Sequence, residues 1–354
     1  MQITRLWLTD FRSYHELELD LSLGLTAIIG PNGVGKTNLL EALSLLATLK
    51  SFRGAPVDSL VRRGAERAFV RAEGIRDERE VLIELELAKG KTRAQVNRQR
   101  LRRARDLLGA VRVTVFAPDD LALIKEGPAL RRDFLDDALV ALDPGADALV
   151  TDLDRILRQR NALLRQSHGR LDEAAAMTLD VWDAKLAATG EALTRRRTEL
   201  VETLMPMVTD AYTTLAGRST KIDGNYERSW SGESLAEAVA AGRDDDVRRG
   251  VTQRGPHRDE LQLLVDGLAA RTEASQGEQR TLALAMRLSA HRLIADRIGE
   301  PPLLLLDDVL SELDPDRSRA LLDNLPPGQT VITSAGDLPP EAKADHELRL
   351  GADR

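Results

Sequence analysis

The chain has 354 residues, a length that allows about two domains. Its 50 basic and 57 acidic residues leave a net charge of −7, which excludes a uniformly basic nucleic-acid-coating protein but allows a local basic face. Because the sequence contains no cysteine, disulfide bonds, cysteine–zinc sites and thiol nucleophiles are all excluded.

The rest of the composition argues against several other classes of protein. No stretch of the sequence approaches the ~18 consecutive apolar residues of a membrane-spanning helix, and the N-terminal residues lack the pattern of a signal peptide. We therefore expect a soluble, cytoplasmic protein with no membrane partner. Aromatic residues make up only 3% of the chain, which argues against a platform that stacks single-stranded bases. The five histidines lack the spacing of metal ligands.

The N-terminal third combines several strand patterns with one helix pattern. Residues 1–30 predict strands, the last of them buried, and the leucine spacing of residues 38–50 predicts a helix. Residues 67–101 predict further strands with a turn near Asn97. Within this region, residues 91–105 contain seven basic residues and no acidic one. This basic run has two interpretations, a solvated hairpin edge that prevents aggregation or a surface that contacts phosphates.

The middle of the chain has the pattern of long helices. Apolar residues recur at near-heptad spacing over residues 149–164 and again over 182–204, on either side of a glycine-containing break at 167–170. This pattern predicts an antiparallel helical hairpin. Because it spans few heptads, an ordinary helical subdomain is favoured over a long coiled-coil rod. Polar, glycine-bearing sequence around 216–256 then precedes a final α/β segment, 257–354.

A phosphate-loop pattern, G-x-x-x-x-G-K-[ST], is matched by Gly30-Pro-Asn-Gly-Val-Gly35-Lys36-Thr37. A predicted buried strand precedes it and a predicted helix follows, which is the context that this motif requires. The glycines let backbone N–H groups point at phosphate oxygens, and the positive end of the helix adds to the attraction. In such a loop Lys36 reaches the β- and γ-phosphates and the Thr37 hydroxyl holds Mg²⁺.

A second nucleotide motif follows near the C-terminus. Residues 302–306 have the pattern of an apolar strand, and Asp307 and Asp308 come directly after it. At this place Asp307 would bind Mg²⁺ through water, and Asp308 could orient or activate the attacking water. By themselves these acids would fit a strand followed by a solvated turn equally well. The phosphate loop is what favours the nucleotide interpretation.

The segment Ser275-Gln-Gly-Glu-Gln279 opens a predicted helix and also has two interpretations. By itself it is a capping box, in which Ser275 is the N-cap and Glu278 lies three residues on. Its free N–H groups and helix dipole would also suit a γ-phosphate. The second interpretation is favoured by the order of the motifs, because a phosphate loop and a long insertion come before this segment and Asp307 comes after it.

Several strings together resemble the RecF family of DNA repair proteins, which belongs with the SMC and Rad50 group of ATP-binding-cassette ATPases. They are GPNGVGKTNLLEAL, KSFRG, FAPDDLALIKEGPALRRDFLD, GPHRDE, SQGEQ and LLLLDDVLSELD, and the resemblance runs to about residue 335. It implies an α/β fold, the ABC-type ATPase head of P-loop NTPases, with a second, mainly helical lobe that bears a short antiparallel hairpin. On this basis we expect ATPase lobe I at 1–115 and 292–354, and lobe II with the hairpin arm and the signature motif at 116–291.

The resemblance also assigns roles to individual residues. Asp308 and Lys36 are the expected catalytic residues, and Thr37 and Asp307 are the expected Mg²⁺ residues. The expected nucleotide contacts, which include the signature that meets the γ-phosphate bound to the opposing subunit, are Gly30, Asn32, Gly33, Gly35, Lys36, Thr37, Asn38, Ser275, Gly277, Gln279, Arg12, Ser13 and Arg53. The loop that touches the opposing subunit across a dimer is matched by Ser311, Glu312 and Asp314.

Two positions depart from the wider cassette pattern, and one motif keeps two interpretations. Most cassette proteins have Glu where this chain has Asp308, and the shorter side chain predicts slow hydrolysis. Transporters have a His after the final strand, where this chain has Thr333 and Ser334, and either residue would replace it as the γ-phosphate sensor. The segment His257-Arg258-Asp259 is either a polar corner on the approach to the signature helix or a DNA contact.

The function that the resemblance implies is an ATP-dependent DNA clamp for recombinational repair and replication restart. ATP and Mg²⁺ would close a homodimer on single-stranded, double-stranded or gapped DNA, and slow, DNA-stimulated hydrolysis would reopen it. RecO and RecR are the implied partners, and RecA loading is the indirect result. The expected DNA contacts lie in the basic run and are Arg98, Arg100, Arg102, Arg103 and Arg105.

Three other functions fit parts of the sequence. An SMC/Rad50-type tethering head is disfavoured because the helical hairpin is short. The nucleotide-binding subunit of a transporter is disfavoured by the missing His and by residues 50–105, whose 16 basic and 8 acidic residues give this segment a net charge of +8. A metabolic kinase is disfavoured because it has no need of the signature segment.

Overall fold

The computed structural model describes residues 1–232 and 234–351. Its strands are β1 (Gln2–Phe11), β2 (Tyr14–Asp20), β3 (Leu25–Ile29), β4 (Arg67–Arg76), β5 (Arg79–Ala88), β6 (Lys91–Val96), β7 (Gln99–Arg100), β8 (Val113–Phe116), β9 (Ile222–Glu227), β10 (Glu260–Val265), β11 (Leu268–Ala269), β12 (Leu303–Leu306), β13 (Thr330–Ser334) and β14 (His346–Arg349). Its α-helices are α1 (Lys36–Thr48), α2 (Leu121–Lys125), α3 (Pro128–Leu142), α4 (Ala146–Gln166), α5 (Glu173–Ala216), α6 (Leu235–Ala241), α7 (Arg243–Arg249), α8 (Gln276–Ile298) and α9 (Pro315–Asp323). Short 3₁₀ turns lie at Val57–Leu60, Ala104–Leu107, Pro118–Asp120, Pro256–Arg258 and Val309–Glu312.

These elements form two compact units. Unit 1 contains Met1–Leu121, Asp210–Ser219 and the described residues from Ser275 onward, and unit 2 contains the described residues of Ala122–Thr209 and Thr220–Ala274. The signature helix α8 therefore lies in unit 1, whereas the predicted boundaries assign most of it to the helical lobe. The reason is its packing, since α8 lies against β8 and its Arg287 pairs with Asp120 at 2.6 Å.

One sheet of unit 1 is parallel, with the strand order β14-β3-β13-β12-β8. Its inner strands β3, β13 and β12 are almost entirely buried, as expected of parallel strands covered on both faces. Ligands of open α/β sheets bind at the carboxyl ends of the strands. The phosphate loop follows β3 at this edge, Asp307 follows β12, and β13 lies between these two strands.

The second sheet of unit 1 is antiparallel, with the order β2-β1-β4-β5-β6-β7. Its strands alternate buried and more exposed residues, and on β5 the buried ones are Ile83, Leu85 and Leu87. The strands predicted within residues 67–101 are confirmed. Asn97 and Arg98, with φ of 49° and 65°, make the two-residue turn between β6 and β7, a backbone shape that Asn adopts readily.

Helix α1 packs against both sheets of unit 1. It contacts β1 and β5 of the antiparallel sheet and β8 and β13 of the parallel sheet. Leu39, Leu40, Leu43 and Leu46 are completely buried, and every residue from 39 to 47 is buried, as expected for a helix covered on all sides. The helix predicted at 38–50 is thereby confirmed, and it runs from Lys36 to Thr48.

Unit 2 is mainly helical, with a small antiparallel sheet in the order β11-β10-β9. The predicted antiparallel hairpin is confirmed, because Arg160 of α4 pairs with Asp183 of α5 at 2.7 Å while Leu164 packs with Leu179 further along. Helix α5 continues to Ala216, well beyond the predicted stripe. Strand β9 lies in the segment around 216–256, which the sequence pattern identifies only as polar and glycine-bearing. In the part of the chain that the structure describes, no helix combines the length and the apolarity needed to cross a membrane.

Candidate nucleotide-binding site

The phosphate loop joins the end of β3 to the start of α1. Gly33 and Gly35 have φ of 81° and 110°, a region of backbone space that residues with a Cβ atom rarely adopt. A Cβ atom on Gly35 would also lie 2.8 Å from the hydroxyl of Tyr14, which donates a hydrogen bond to the Gly35 carbonyl at 3.1 Å. The loop is therefore shaped by its glycines and held in place by β2.

Lys36 is the first residue of α1 and is almost completely buried. Its Nζ donates hydrogen bonds to the carbonyl oxygens of Gly30 at 2.6 Å and Pro31 at 3.2 Å, so the ammonium group stays inside the loop. The N-cap residue of α1 is Gly35, which has no side chain to cap the helix. The first N–H groups of α1 are therefore open to an anion, and the helix dipole favours one.

Asp307 lies beside Thr37, from which it is separated by 270 positions in the sequence. Its Oδ1 accepts hydrogen bonds from the Thr37 hydroxyl at 3.0 Å and from the Thr333 hydroxyl at 2.8 Å. Burial is the largest influence on the Asp307 carboxyl and raises its pKa, while the two hydroxyl hydrogen bonds act in the opposite direction.

The oxygens of Thr37 and Asp307 suit Mg²⁺. This ion is usually bound through one or two carboxylates and completes its coordination with water and substrate phosphates. A hydroxyl and a carboxylate at one edge of a phosphate loop match that donor set. Elsewhere in the described residues, no cluster of three or more His, Asp or Glu side chains forms a metal site of its own.

Asp308 has a left-handed backbone, with φ of 47°, which is uncommon for a residue other than glycine. Its N–H donates a hydrogen bond to Oγ1 of Thr333 at 2.9 Å, and its carbonyl accepts one from the Ser311 hydroxyl at 2.8 Å. These hydrogen bonds hold the turn that follows β12.

The phosphate loop and the two aspartates line one cavity of about 330 Å³, a size within the range of ligand pockets. The residues that line it are Asn32, Gly33, Gly35, Lys36, Thr37, Asn38, Arg53, Asp307 and Asp308. The sequence predicts every one of them as a nucleotide, Mg²⁺ or catalytic residue. The fold thus brings together motifs from both ends of the chain.

Arg12 and Ser13, which the resemblance makes nucleotide contacts, lie outside that lining. Arg12 pairs through Nε and Nη2 with the two carboxylate oxygens of Glu41, each at 2.7 Å. Ser13 accepts a hydrogen bond from the side chain of Asn38 at 3.0 Å. Both residues therefore contact α1 from the β1–β2 turn, and neither is among the residues that line the cavity.

Glu41 is completely buried in α1 and also accepts a hydrogen bond from Ser51. Motif reasoning overlooks this residue, although the sequence carries a signal for it. A single acid within the apolar run NLLEALSLLA has to be buried, and a buried carboxylate needs a cation and hydrogen-bond donors. The partner itself cannot be read from the sequence.

The signature segment begins α8 as a capping box. The Ser275 hydroxyl accepts a hydrogen bond from the Glu278 N–H at 3.3 Å, and the Glu278 carboxylate accepts one from the Ser275 N–H at 2.9 Å. Ser275 is exposed, whereas Gln279 is buried. The residues that line the cavity do not include Ser275, Gly277 or Gln279. Of these three residues, Ser275 has a side chain that is exposed to solvent.

The segment after Asp308, predicted to face an opposing subunit, makes hydrogen bonds and ion pairs within unit 1. Ser311 donates to the Asp308 carbonyl, and Glu312 forms an ion pair with Arg280 of α8. Asp314 caps α9 by accepting a hydrogen bond from the Arg317 N–H at 2.9 Å.

The basic run forms the β6–β7 hairpin and the turn after it, at the edge of the antiparallel sheet. Arg103 pairs with Asp106 at 3.0 Å, and Arg105 lies in the following 3₁₀ turn. Within residues 91–105, the exposed cations with which no carboxylate of the described residues forms an ion pair are Lys91, Arg98, Arg100 and Arg102. This edge of the sheet therefore carries positive charge that no described carboxylate neutralises by an ion pair.

The segment His257-Arg258-Asp259 lies in unit 2, at the turn before β10. Asp259 is completely buried, and its carboxylate accepts hydrogen bonds from the Tyr226 hydroxyl and the Ser229 N–H, each at 2.8 Å. Burial lowers the pKa of His257 to about 4. Of the three side chains, Arg258 is the exposed one.

Comparison with known proteins gives one consistent result. The family model of the RecF/RecN/SMC N terminal domain matches residues 2–334. The DNA replication and repair protein RecF of Streptomyces avermitilis is 44% identical over 351 residues, which cover 95% of this chain and 93% of the relative. The chain belongs to the RecF family. A further RecF relative, from Frankia alni, is 44% identical over 364 residues and covers 96% of both chains.

Solved RecF structures share the fold of this chain. The recombination mediator protein RecF-ATP in the RecFOR pathway is 29% identical with a TM-score of 0.90, and the match covers 99% of this chain and 95% of that one. The RecF-ATPrS structure is 30% identical with a TM-score of 0.89, covering 98% and 95%. An Smc head bound to a domain of ScpA, 18% identical with a TM-score of 0.56 over 95% and 90% of the two chains, shares the fold alone. The predicted ABC-type ATPase head is thereby confirmed.

Proposed function

We propose that this RecF-family protein is an ATP-dependent DNA clamp of recombinational repair and replication restart, acting in the cytoplasm. ATP closes two copies of the chain on DNA, and slow hydrolysis reopens them. The observation that carries the proposal is the convergence of Lys36, Thr37, Asp307 and Asp308 on one cavity at the carboxyl edge of the parallel sheet. The names of the curated relatives, DNA replication and repair protein RecF, support the setting in repair.

The residues that line the cavity have different proposed roles in hydrolysis. Lys36 and the N–H groups of the phosphate loop bind the β- and γ-phosphates, and Thr37 with Asp307 holds Mg²⁺. Mg²⁺, when bound, supplies positive charge that polarises the phosphoryl oxygens. Asp308 orients the attacking water, and its short side chain makes this step slow. Hydrolysis then serves as a timer for release, and contact with DNA stimulates it.

The start of α8 supplies the contact between subunits. Its N–H groups and dipole attract the γ-phosphate held by the other copy, and the exposed Ser275 lies at this helix end. ATP can favour the closed dimer only through contacts that the open monomer lacks. A nucleotide bridge between Lys36 of one copy and Ser275 of the other is such a contact.

The basic hairpin supplies the DNA contact. Arg98, Arg100 and Arg102 are exposed cations that can pair with phosphates, and the aromatic-poor composition favours contacts that do not read sequence. We propose single-stranded, double-stranded and gapped DNA as ligands. RecO and RecR are the proposed protein partners, with RecA loading as the outcome, in keeping with the RecFOR pathway named for the solved relatives.

A tethering head with a long rod is not supported as a second function. Helix α4, the shorter arm of the hairpin, has 21 residues. At about 1.5 Å per residue it spans only ~30 Å, about the width of a small domain.

The proposal is tested by sedimentation velocity with a non-hydrolysable ATP analogue. The native chain should dimerise when the analogue is added, and Ser275→Arg should remain monomeric because the new side chain blocks the helix end. Ser234→Arg is a matched control, since Ser234 also caps a helix and accepts a hydrogen bond from the N–H of a Glu three residues on. The control should dimerise normally. A native chain that binds the analogue and stays monomeric would contradict the clamp.

A further inference from the structure

Thr333 stands at the carboxyl end of β13, between the two nucleotide motifs. Strand β13 pairs on one side with β3, which leads into the phosphate loop, and on the other with β12, which leads into Asp307. The side chain of Thr333 is completely buried. Its position in the sheet therefore makes it a direct neighbour of the acids that follow β12.

The single hydroxyl of Thr333 makes two hydrogen bonds. It donates to Oδ1 of Asp307 at 2.8 Å and accepts from the backbone N–H of Asp308 at 2.9 Å. A hydroxyl has one hydrogen to donate, and here that hydrogen is committed to Asp307. This arrangement argues against Thr333 as a γ-phosphate sensor, because a sensor has to donate its hydrogen to a phosphate oxygen.

The two hydrogen bonds of Thr333 constrain the Asp307 carboxylate and the Asp308 backbone. Asp307 is buried, and the Thr37 and Thr333 hydroxyls are the donors that reach its Oδ1. Asp308 has a left-handed backbone at φ 47°, which is uncommon for a residue with a Cβ atom, and its N–H is fixed by the hydrogen bond to Thr333. Loss of the Thr333 hydroxyl would leave the Asp308 N–H without this acceptor and would remove one of the two hydroxyl hydrogen bonds that orient Asp307.

We propose that Thr333 is a positioning residue that locks the carboxylate of Asp307 and the backbone of Asp308 into one arrangement. The metal-binding acid and the water-orienting acid then act as a unit. This inference rests on the proposed nucleotide function of the cavity. It names Thr333 as a residue that acts through both aspartates and makes no contact with phosphate itself.

The test compares Thr333→Val, which keeps the shape and removes the hydroxyl, with Thr333→Ser, which keeps the hydroxyl. Thr330→Val is the matched control, because Thr330 is a buried threonine on the same strand. Two readouts are needed, the kinetics of ATP hydrolysis and the Mg²⁺ dependence of binding of a fluorescent ATP analogue, the latter measured with ATP and with ADP as competitors. The second readout requires no turnover.

We expect Thr333→Val to lower kcat about 10- to 100-fold and to raise the Mg²⁺ concentration for half-maximal analogue binding by a similar factor. Binding of the analogue without Mg²⁺ should stay close to that of the native chain, because the phosphate loop is untouched. Thr333→Ser should recover most of both effects, and Thr330→Val should resemble the native chain in both readouts.

Three results would overturn the inference. The first is a Thr333→Val variant whose kcat and Mg²⁺ dependence equal those of the native chain. The second is a Thr333→Ser variant that is as impaired as Thr333→Val. The third is loss of preference for ATP over ADP with unchanged Mg²⁺ dependence, which is the behaviour of a sensor. If the native chain bound no nucleotide at all, the proposed function would fail first, and the native control would show that failure separately.

Discussion

Arg12 donates from Nε and Nη2 to both carboxylate oxygens of Glu41, each at 2.7 Å. The carboxylate is completely buried, whereas 19% of the Arg12 side chain is exposed. A planar guanidinium can donate two parallel hydrogen bonds to one carboxylate. Replacement of only one residue of such a pair leaves the other charge without its partner. The pair therefore joins the β1–β2 turn to α1, the helix that begins at the phosphate loop.

Removal of Arg12 should destabilise the fold. Arg12→Leu leaves the Glu41 charge buried without its cation, and the free energy of unfolding should fall by about 3–5 kcal/mol. Urea denaturation measures this change. The double variant Arg12→Leu with Glu41→Leu should recover much of the loss, since it removes both charges. A stable Arg12→Leu variant with weakened ATP binding would instead make Arg12 a nucleotide contact.

Removal of the Lys36 ammonium should weaken nucleotide binding and leave the fold intact. Lys36→Ala removes a charged donor to the phosphates, so we expect the Kd for an ATP analogue to rise about 10- to 100-fold. Titration with the fluorescent analogue measures it. Lys50→Ala, just beyond the C-terminal end of α1, removes the same charge and should bind as the native chain does. Equal affinity in the two variants would contradict the assigned role of Lys36.

Charge reversal on the basic hairpin should abolish DNA binding. We expect the variant Arg98→Glu, Arg100→Glu, Arg102→Glu and Arg103→Glu to lose measurable affinity at about 0.1 M salt, because phosphate contacts dominate such affinity. Fluorescence anisotropy with a gapped duplex measures it. ATP binding should not change.

A control for this reversal keeps the net charge equal. It replaces four exposed arginines of α4 and α5 with glutamate, namely Arg155, Arg158, Arg165 and Arg195. This variant should retain DNA binding. DNA affinity that persists in the hairpin variant at moderate salt, or that disappears equally in the control, would show that the hairpin is not the contact surface.

Acid should destabilise unit 1 through His291. This side chain is buried, its Nδ1 lies 3.2 Å from the Thr114 hydroxyl, and burial lowers its pKa to about 4. An unfolded histidine has a pKa of about 6.5, so the unfolded chain takes up a proton first as the pH falls. The stability that the neutral His291 contributes is fully present above about pH 6.5. It is lost as the pH falls toward about 4, where the imidazole of the folded chain takes up its proton.

The size of this effect follows from the pKa difference. Between about pH 7.5 and about pH 5 the native chain should lose roughly 2 kcal/mol through His291 alone. His291→Gln should reduce the pH dependence of the unfolding free energy by that amount, as measured by urea denaturation at the two pH values. His168→Gln, at an exposed position, should not reduce it. An identical pH dependence in the native chain and His291→Gln would rule this explanation out.

The local parts of the site could be predicted because each is a short, contiguous motif. A glycine-rich turn followed by Lys36 and Thr37 dictates its own backbone shape, and Ser275 with Glu278 dictates a helix start. The Asn97 turn and helix α1 were predictable for the same reason, since turn chemistry and apolar spacing are local properties. The bounds of α5 were not, because the helix contains Pro206, a residue that usually ends or kinks a helix, and yet continues to Ala216.

The sequence by itself determined which residue types are available for the proposed contacts with phosphates, Mg²⁺ and DNA, and the order in which they occur. Only the tertiary structure decided which of them meet. Thr37 and Asp307 are 270 positions apart in the sequence, but they meet because β3 and β12 flank β13 and end at the same edge of the sheet. The same strand order places the Thr333 hydroxyl within hydrogen-bond distance of Asp307 and Asp308. The pairing of Arg12 with Glu41 was also decided by packing, since a buried charge takes its partner from the groups that the fold brings within hydrogen-bond distance.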